Sequence, residues 1–156
     1  MEDLLLKLLS RFGEVEVEYV LIGGQAVRLN GFLRATEDVD VLLRATRENG
    51  RKVKQAMDFL ASSREIEEEW FEVIDGAPES IRVADDLIVD LLFAANGETY
   101  ESVRPFVREI VVEDVPIRVL NIDGLLRTKT DYREKDLLDR QVLGRIRQRM
   151  MDEGGD

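Results

Sequence analysis

Tyr19-Val20-Leu21-Ile22-Gly23-Gly24 and, thirteen intervening residues later, Asp38-Val39-Asp40-Val41-Leu42-Leu43 are the stretches on which the reading of this chain turns. Upstream, Val15, Val17, Tyr19 and Leu21 alternate with Glu16, Glu18 and Val20, which predicts a half-buried strand becoming fully buried toward Ile22. Gly23-Gly24 breaks it, and residues 25–30 read as a short helix closed by Gly31, where glycine tolerates a left-handed cap. A strand that ends in two glycines and opens a helix presents backbone N–H groups at the positive end of that helix. Such an end suits a phosphate, although Gly-Gly also simply makes tight turns.

Residues 39–43 predict a second strand with Asp38 and Asp40 at its leading end. Side chains at i and i+2 share a face, so the two carboxylates project together and repel unless a cation lies between them. A lone Asp-x-Asp also occurs at exposed strand edges, so other residues must decide. Asp90 stands inside Leu87-Ile88-Val89-Asp90-Leu91-Leu92-Phe93, an apolar run whose length predicts a buried strand. A carboxylate among such neighbours is costly unless it binds metal or pairs with a cation, here Arg34 or Arg82. A phosphate cradle, two carboxylates on one face and a third on another strand are the parts that two-metal phosphoryl transfer requires.

The remainder predicts helices over residues 3–12 (Leu4, Leu5, Leu8, Leu9 and Phe12 at helical spacing, ended by Gly13), 46–60, 99–104 and 123–129. Ile66, Trp70, Phe71, Val73, Ile74, Ile81 and Val83 predict two short strands around the turn Asp75-Gly76-Ala77-Pro78. Residues 107–112 and 117–120 predict a hairpin. A last helix begins near Asp131, with Glu134 as partner in a capping box, and a stripe of Leu138, Val142, Ile146 and Met150 docks on the sheet or a partner. Residues 152–156 are expected to fray.

With 156 residues, 44% of them hydrophobic and 35% charged, the chain is expected to be one soluble globular domain. Its start, MEDLLLKLL, is acidic where an export signal is basic, and no run suits a membrane, so a cytoplasmic protein is expected. It has no cysteine and no histidine, which excludes disulfides, thiolate sites and the usual zinc ligand; a metal must sit on oxygen, as Mg2+ or Mn2+ do. The spacing of an EF-hand calcium loop is absent. A formal charge of -11 argues against a broad grip on nucleic acid, while Arg140, Arg145, Arg147 and Arg149 offer a local basic patch.

The pattern Gly23-Gly24, Asp38-Val39-Asp40 and Asp90 resembles the signature of the DNA polymerase β nucleotidyltransferase superfamily. The intervening Gly31, Arg34 and Thr36 resemble its abortive-infection toxin and lincosamide-modifying branches. Leu125-Leu126-Arg127-Thr128-Lys129 and Lys135-Asp136-Leu137-Leu138-Asp139 resemble the helical segment of the toxin branch. Gly24 stands where the minimal, partner-associated branch has serine, so a hydroxyl contact to phosphate is missing. The resemblance implies an α+β fold, a twisted mixed sheet flanked by helices, as one nucleotidyltransferase domain over 1–156: a palm core at about 14–120 and a C-terminal helical segment at about 121–150. It implies that Asp38 and Asp40 hold the metals, that Asp90 joins them and activates an acceptor hydroxyl, and that Gly23 and Gly24 hold the β and γ phosphates. Arg34 and Lys129 are its further candidates for nucleotide binding, whereas Asp136 reads better as a cap or as the ion-pair partner of Lys135 or Arg140.

The implied reaction is transfer of a nucleoside monophosphate from a nucleoside triphosphate such as ATP to a hydroxyl. RNA or protein is expected as acceptor ahead of a small molecule, in the setting of a toxin–antitoxin or phage-defence system with a cognate protein partner. An antibiotic nucleotidyltransferase and a non-catalytic, antitoxin-like nucleotide-binding module are the rival readings. A homodimer through an edge strand or the stripe of the last helix is a further expectation.

Overall fold

A computed structural model describes residues 3–23, 25, 26, 38–72, 80–129 and 134–154. The expected helix after Gln25 with its Gly31 cap, Gly24, Arg34, Thr36, the turn at 75–78 with Val73 and Ile74, Asp131 of the capping box and the last two residues lie outside these. The elements are α1 (Leu4–Val15), β1 (Tyr19–Ile22), β2 (Asp38–Leu43), α2 (Arg47–Ala56), 3-10 helices at Ala61–Glu65 and Glu68–Phe71, β3 (Ser80–Ala84), β4 (Ile88–Leu92), a 3-10 turn at Arg104–Phe106, β5 (Val107–Val112), β6 (Val115–Leu120), α3 (Ile122–Thr128) and α4 (Glu134–Gly154).

The strands form a mixed six-stranded sheet in the order β3-β4-β2-β1-β6-β5. β1 runs antiparallel to β2 and parallel to β6, β2 runs parallel to β4, and the edges are closed by antiparallel β3 and β5. This is the α+β arrangement of mixed sheet and helices that the resemblance implies. Strand alternation fixes which side chains face the site. Val39 and Val41 of β2 and Val89 and Leu91 of β4 are fully buried, while Asp38, Asp40, Ile88 and Asp90 face the opposite, partly open side.

α1 buries Leu5, Leu8, Leu9 and Phe12, packing on β6 and α2, and Phe12 meets Tyr19 with ring centroids 5.1 Å apart. Asp3 caps its start through Leu6 N–H at 3.1 Å. Gly13 does not end this helix. It continues to Val15, and Glu16 takes the left-handed conformation at φ 63 while its N–H donates to Gly13 O. A non-glycine residue therefore carries the closure, and Val15 and Val17 precede the strand rather than belong to it. Local closure of the helix has overridden the alternation of valine and glutamate.

α2 is capped by Thr46, whose Oγ1 accepts from Asn49 N–H at 3.1 Å, and it ends at Ala56, short of the expected 60. Ile66, Trp70 and Phe71 lie on or beside 3-10 turns, not on a strand. Phe71 is buried because its ring packs on Gly50 of α2 and edge-on against Phe93, centroids 5.2 Å apart. Short apolar runs without a clear period fit either state, and here tertiary packing decides. Ile81 and Val83 do lie on a strand, β3. Residues 99–104 form turns leading into the short 3-10 helix instead of an α-helix.

In α4 the docking contacts come from Leu143, fully buried, and Ile146, while Leu138 and Met150 are exposed. A strict four-residue step drifts by about 40° around a helix of 3.6 residues per turn, so the two ends of such a row rotate away from the core. The helix also runs through Asp152, where the sequence predicts fraying. No helix among the described residues is long and apolar enough to cross a membrane.

Asn49 ties the far end of β1 to that of β2. Its buried amide donates to Glu18 O and Arg44 O, both at 3.0 Å, and its Oδ1 accepts from Glu18 N–H at 2.8 Å. Asn49→Ala strips the Glu18 N–H of its partner, while the Glu18 and Arg44 carbonyls each keep one backbone donor, from Arg44 and Thr46, and it is expected to lower unfolding free energy by about 1–3 kcal/mol, read from a urea titration at unchanged m-value.

Candidate functional site

The sheet register places one transverse row on the partly open face. Ile22 of β1 pairs with Asp40 of β2, Asp40 pairs with Asp90 of β4, and Asp90 pairs with Arg82 of β3. Neighbouring strands lie about 4.8 Å apart, so Asp40 and Asp90 are near enough to share one cation. Asp38 stands two residues along β2 on the same face. The structure thus puts the three carboxylates that the sequence singles out on one face of two adjacent strands.

The glycine turn enters the same place. Gly23 follows Ile22 at φ +72, a left-handed conformation, and a Cβ built on it would lie 2.1 Å from Oδ2 of Asp40 and 2.9 Å from its Cγ. The carboxylate of Asp40 therefore lies directly over the backbone at residue 23, an approach that only glycine allows. Gln25 and Ala26 are helical and buried, and Oε1 of Gln25 has no hydrogen-bond partner among the described residues. The sequence does not single out Gln25, whose only signal is a polar side chain at the first turn after Gly-Gly.

Arg82 organises the acidic side of the row. Its Nε donates to Asp90 Oδ1 at 2.8 Å, and its Nη2 donates to Asp90 Oδ2 at 3.0 Å and to Asp38 Oδ2 at 3.3 Å. The ion pair that the sequence offers as the alternative reason for Asp90 is thus present, made by Arg82. It is not deeply buried, since the Arg82 side chain keeps 58% of its exposure against 16% for Asp90. The hydrogen bond and then the charge of Asp90 hold the guanidinium pKa above its already high ordinary value. At the β3–β4 connection, Asp85 accepts from Ser62 N–H at 2.9 Å and Asp86 N–H at 2.8 Å, which keep its carboxyl below the ordinary range. Those bonds fix the tight turn that brings Arg82 opposite Asp90.

Lys129 is 6% exposed, with Nζ 4.0 Å from Oδ1 of Asp136 on α4. Its carbonyl accepts from Asn96 Nδ2 and Arg140 Nη1, both at 3.0 Å. Asp136 thus has Lys129 as its described ion-pair partner, while Arg140 spends its donors on the carbonyls of Leu126 and Lys129. Gly24 and Arg34 lie outside the described residues.

The donor set fits a hard divalent cation: carboxylate oxygens from two adjacent strands on one face, with a cradle at Gly23 that a Cβ would fill. As the side chains stand, no group of three or more acidic residues among those described is gathered closely enough to enclose an ion, and Asp38 and Asp90 both bond Arg82.

No family model matches the chain, and no curated protein matches it. Among solved structures, the crystal structure of the lincosamide antibiotic adenylyltransferase LnuA in its lincomycin-bound form matches with a TM-score of 0.61 at 20% identity. The match covers 94% of this chain and 98% of that one. The likeness shows that the two chains share a fold over nearly their whole lengths.

Gly23→Ala combines a left-handed backbone with a clash against Asp40. It is expected to cost about 1–3 kcal/mol of stability, read from urea unfolding.

Proposed function

We infer that the chain is a metal-dependent nucleotidyltransferase, its residues 1–156 acting as one domain that moves a nucleoside monophosphate from a triphosphate to an acceptor hydroxyl. The observation that carries the reading is the register of Asp40 with Asp90 on parallel strands, beside a glycine that admits the Asp40 carboxylate and with Asp38 on the same face. A chain without histidine needs no imidazole base for this chemistry.

In this reading Asp38, Asp40 and Asp90 are the residues that would hold magnesium or manganese. The ion's contribution when bound is to acidify the attacking hydroxyl and offset charge on the triphosphate. Asp90 orients the acceptor hydroxyl and draws its proton. The hydroxyl oxygen then bonds to the α phosphorus as the bond to pyrophosphate breaks. Backbone N–H groups at Gly23 and Gly24 cradle the β and γ phosphates, with Arg34 and Lys129 as cationic contacts. Lys129 reaches the triphosphate only by leaving Asp136.

RNA or protein is the acceptor class that the toxin-like C-terminal segment favours, and a cytoplasmic enzyme in a toxin–antitoxin or phage-defence setting is the reading that goes with it. A small hydroxylated acceptor is a second reading, favoured by the likeness to a lincosamide-modifying enzyme over nearly the whole of both chains and by the acidic charge of -11.

Incubation with α-labelled nucleoside triphosphates and magnesium, offered lysate RNA and protein in one arm and lincosamides in another, tests the reading. Label is expected on one acceptor class, falling to background in Asp40→Asn and Asp90→Asn while both variants keep a cooperative unfolding transition. Transfer retained in either variant would falsify the assignment.

A further inference from the structure

The reaction described above gives Arg82 no part, yet this residue bonds two of the three carboxylates. Its fork engages both oxygens of Asp90 and one of Asp38, oxygens that a divalent cation would also draw on. The geometry points to Arg82 as a resident counter-cation, competing with the divalent ion for Asp38 and Asp90 so that the site stays metal-poor until the ion arrives with a nucleotide. This rests on the nucleotidyltransferase reading of the site.

The physical chemistry of the side chain supports such a role. A guanidinium cannot give way by losing its proton, so Arg82 leaves the carboxylates only by turning away. It has room to do so. Among the described residues β3 is an edge strand of the sheet, and the Arg82 side chain is more than half exposed. Pairs this exposed are weak, so the competition is one that a divalent ion wins. Magnesium binds through one or two carboxylates together with substrate phosphates. An ion carrying a triphosphate therefore displaces Arg82 more readily than a bare ion does. A lysine in its place would keep the charge but lose the fork.

Two measurements on the intact chain test this without reading activity. In manganese titration calorimetry without nucleotide, Arg82→Gln is expected to bind about three- to tenfold more tightly than the unaltered protein, with Arg82→Lys between them. Asp40→Asn, which leaves the bonds of Arg82 in place, is expected to lose the heat. In a nitrogen-15 spectrum of the unaltered protein, the Arg82 Nε–H signal, identified by its loss in Arg82→Gln, should be shielded from water exchange and lose that shielding at saturating magnesium. Equal or weaker manganese binding in Arg82→Gln, or an Nε–H that stays shielded at saturation, overturns the competitor role while the metal site itself stands. No manganese heat in either the unaltered protein or Arg82→Gln overturns the metal reading of the site, and this inference with it.

Discussion

The approach of Asp40 to the backbone of Gly23 is the constraint on which the site depends. A Cβ at residue 23 would lie inside the carboxylate, and φ there is positive, so both the conformation and the space call for glycine. That approach is possible because Ile22 and Asp40 are register partners at the ends of β1 and β2. At the other end of the same strands, the amide of Asn49 bonds the backbone on both sides, through Glu18 and Arg44. Polar bonding at one end and steric fit at the other hold a single register.

Register matters because side chains alternate. A slip of one residue between β2 and β4 would turn Val39, Val41, Val89 and Leu91 out to the open face and drive Asp38, Asp40 and Asp90 into the core. Burial of carboxylates without partners would cost far more than an exposed ion pair returns. The apolar residues on one face thus position the acidic residues on the other. Fold stability and site geometry share one cause in these two strands.

How much of this was legible in the sequence follows from the range of the signals. Asp38-Val39-Asp40 and the apolar run around Asp90 are local signals, the one by its two-residue step and the other by its length, and both strands lie where they predict. The glycine turn was legible as a turn, but its contact with Asp40 depends on the pairing of β1 with β2. Arg82 could be named as a partner for Asp90, alongside Arg34, yet the choice between them needs the β3–β4 register, which Asp85 and Ser62 fix from outside the strand. Glu16 as a left-handed cap, Phe71 on Gly50 and Asp136 beside Lys129 are all settled by packing or helix closure, and no local period encodes them. The four-residue row in α4 misled because its drift around the helix accumulates over three steps.

Three carboxylates on two adjacent strands would oppose one another during folding, before any ligand could bind. An arginine in the same transverse row offsets that repulsion from within the chain, with a planar fork that satisfies both oxygens of Asp90 and still reaches Asp38. The sheet can therefore form with its acidic face assembled rather than waiting for a cation to assemble it. Because Arg82 lies on an edge strand and keeps contact with water, the same pairing that assists assembly remains weak enough to be exchanged. Placing the counter-charge at the exposed edge rather than in the core is what lets one residue serve folding without locking the face it neutralises.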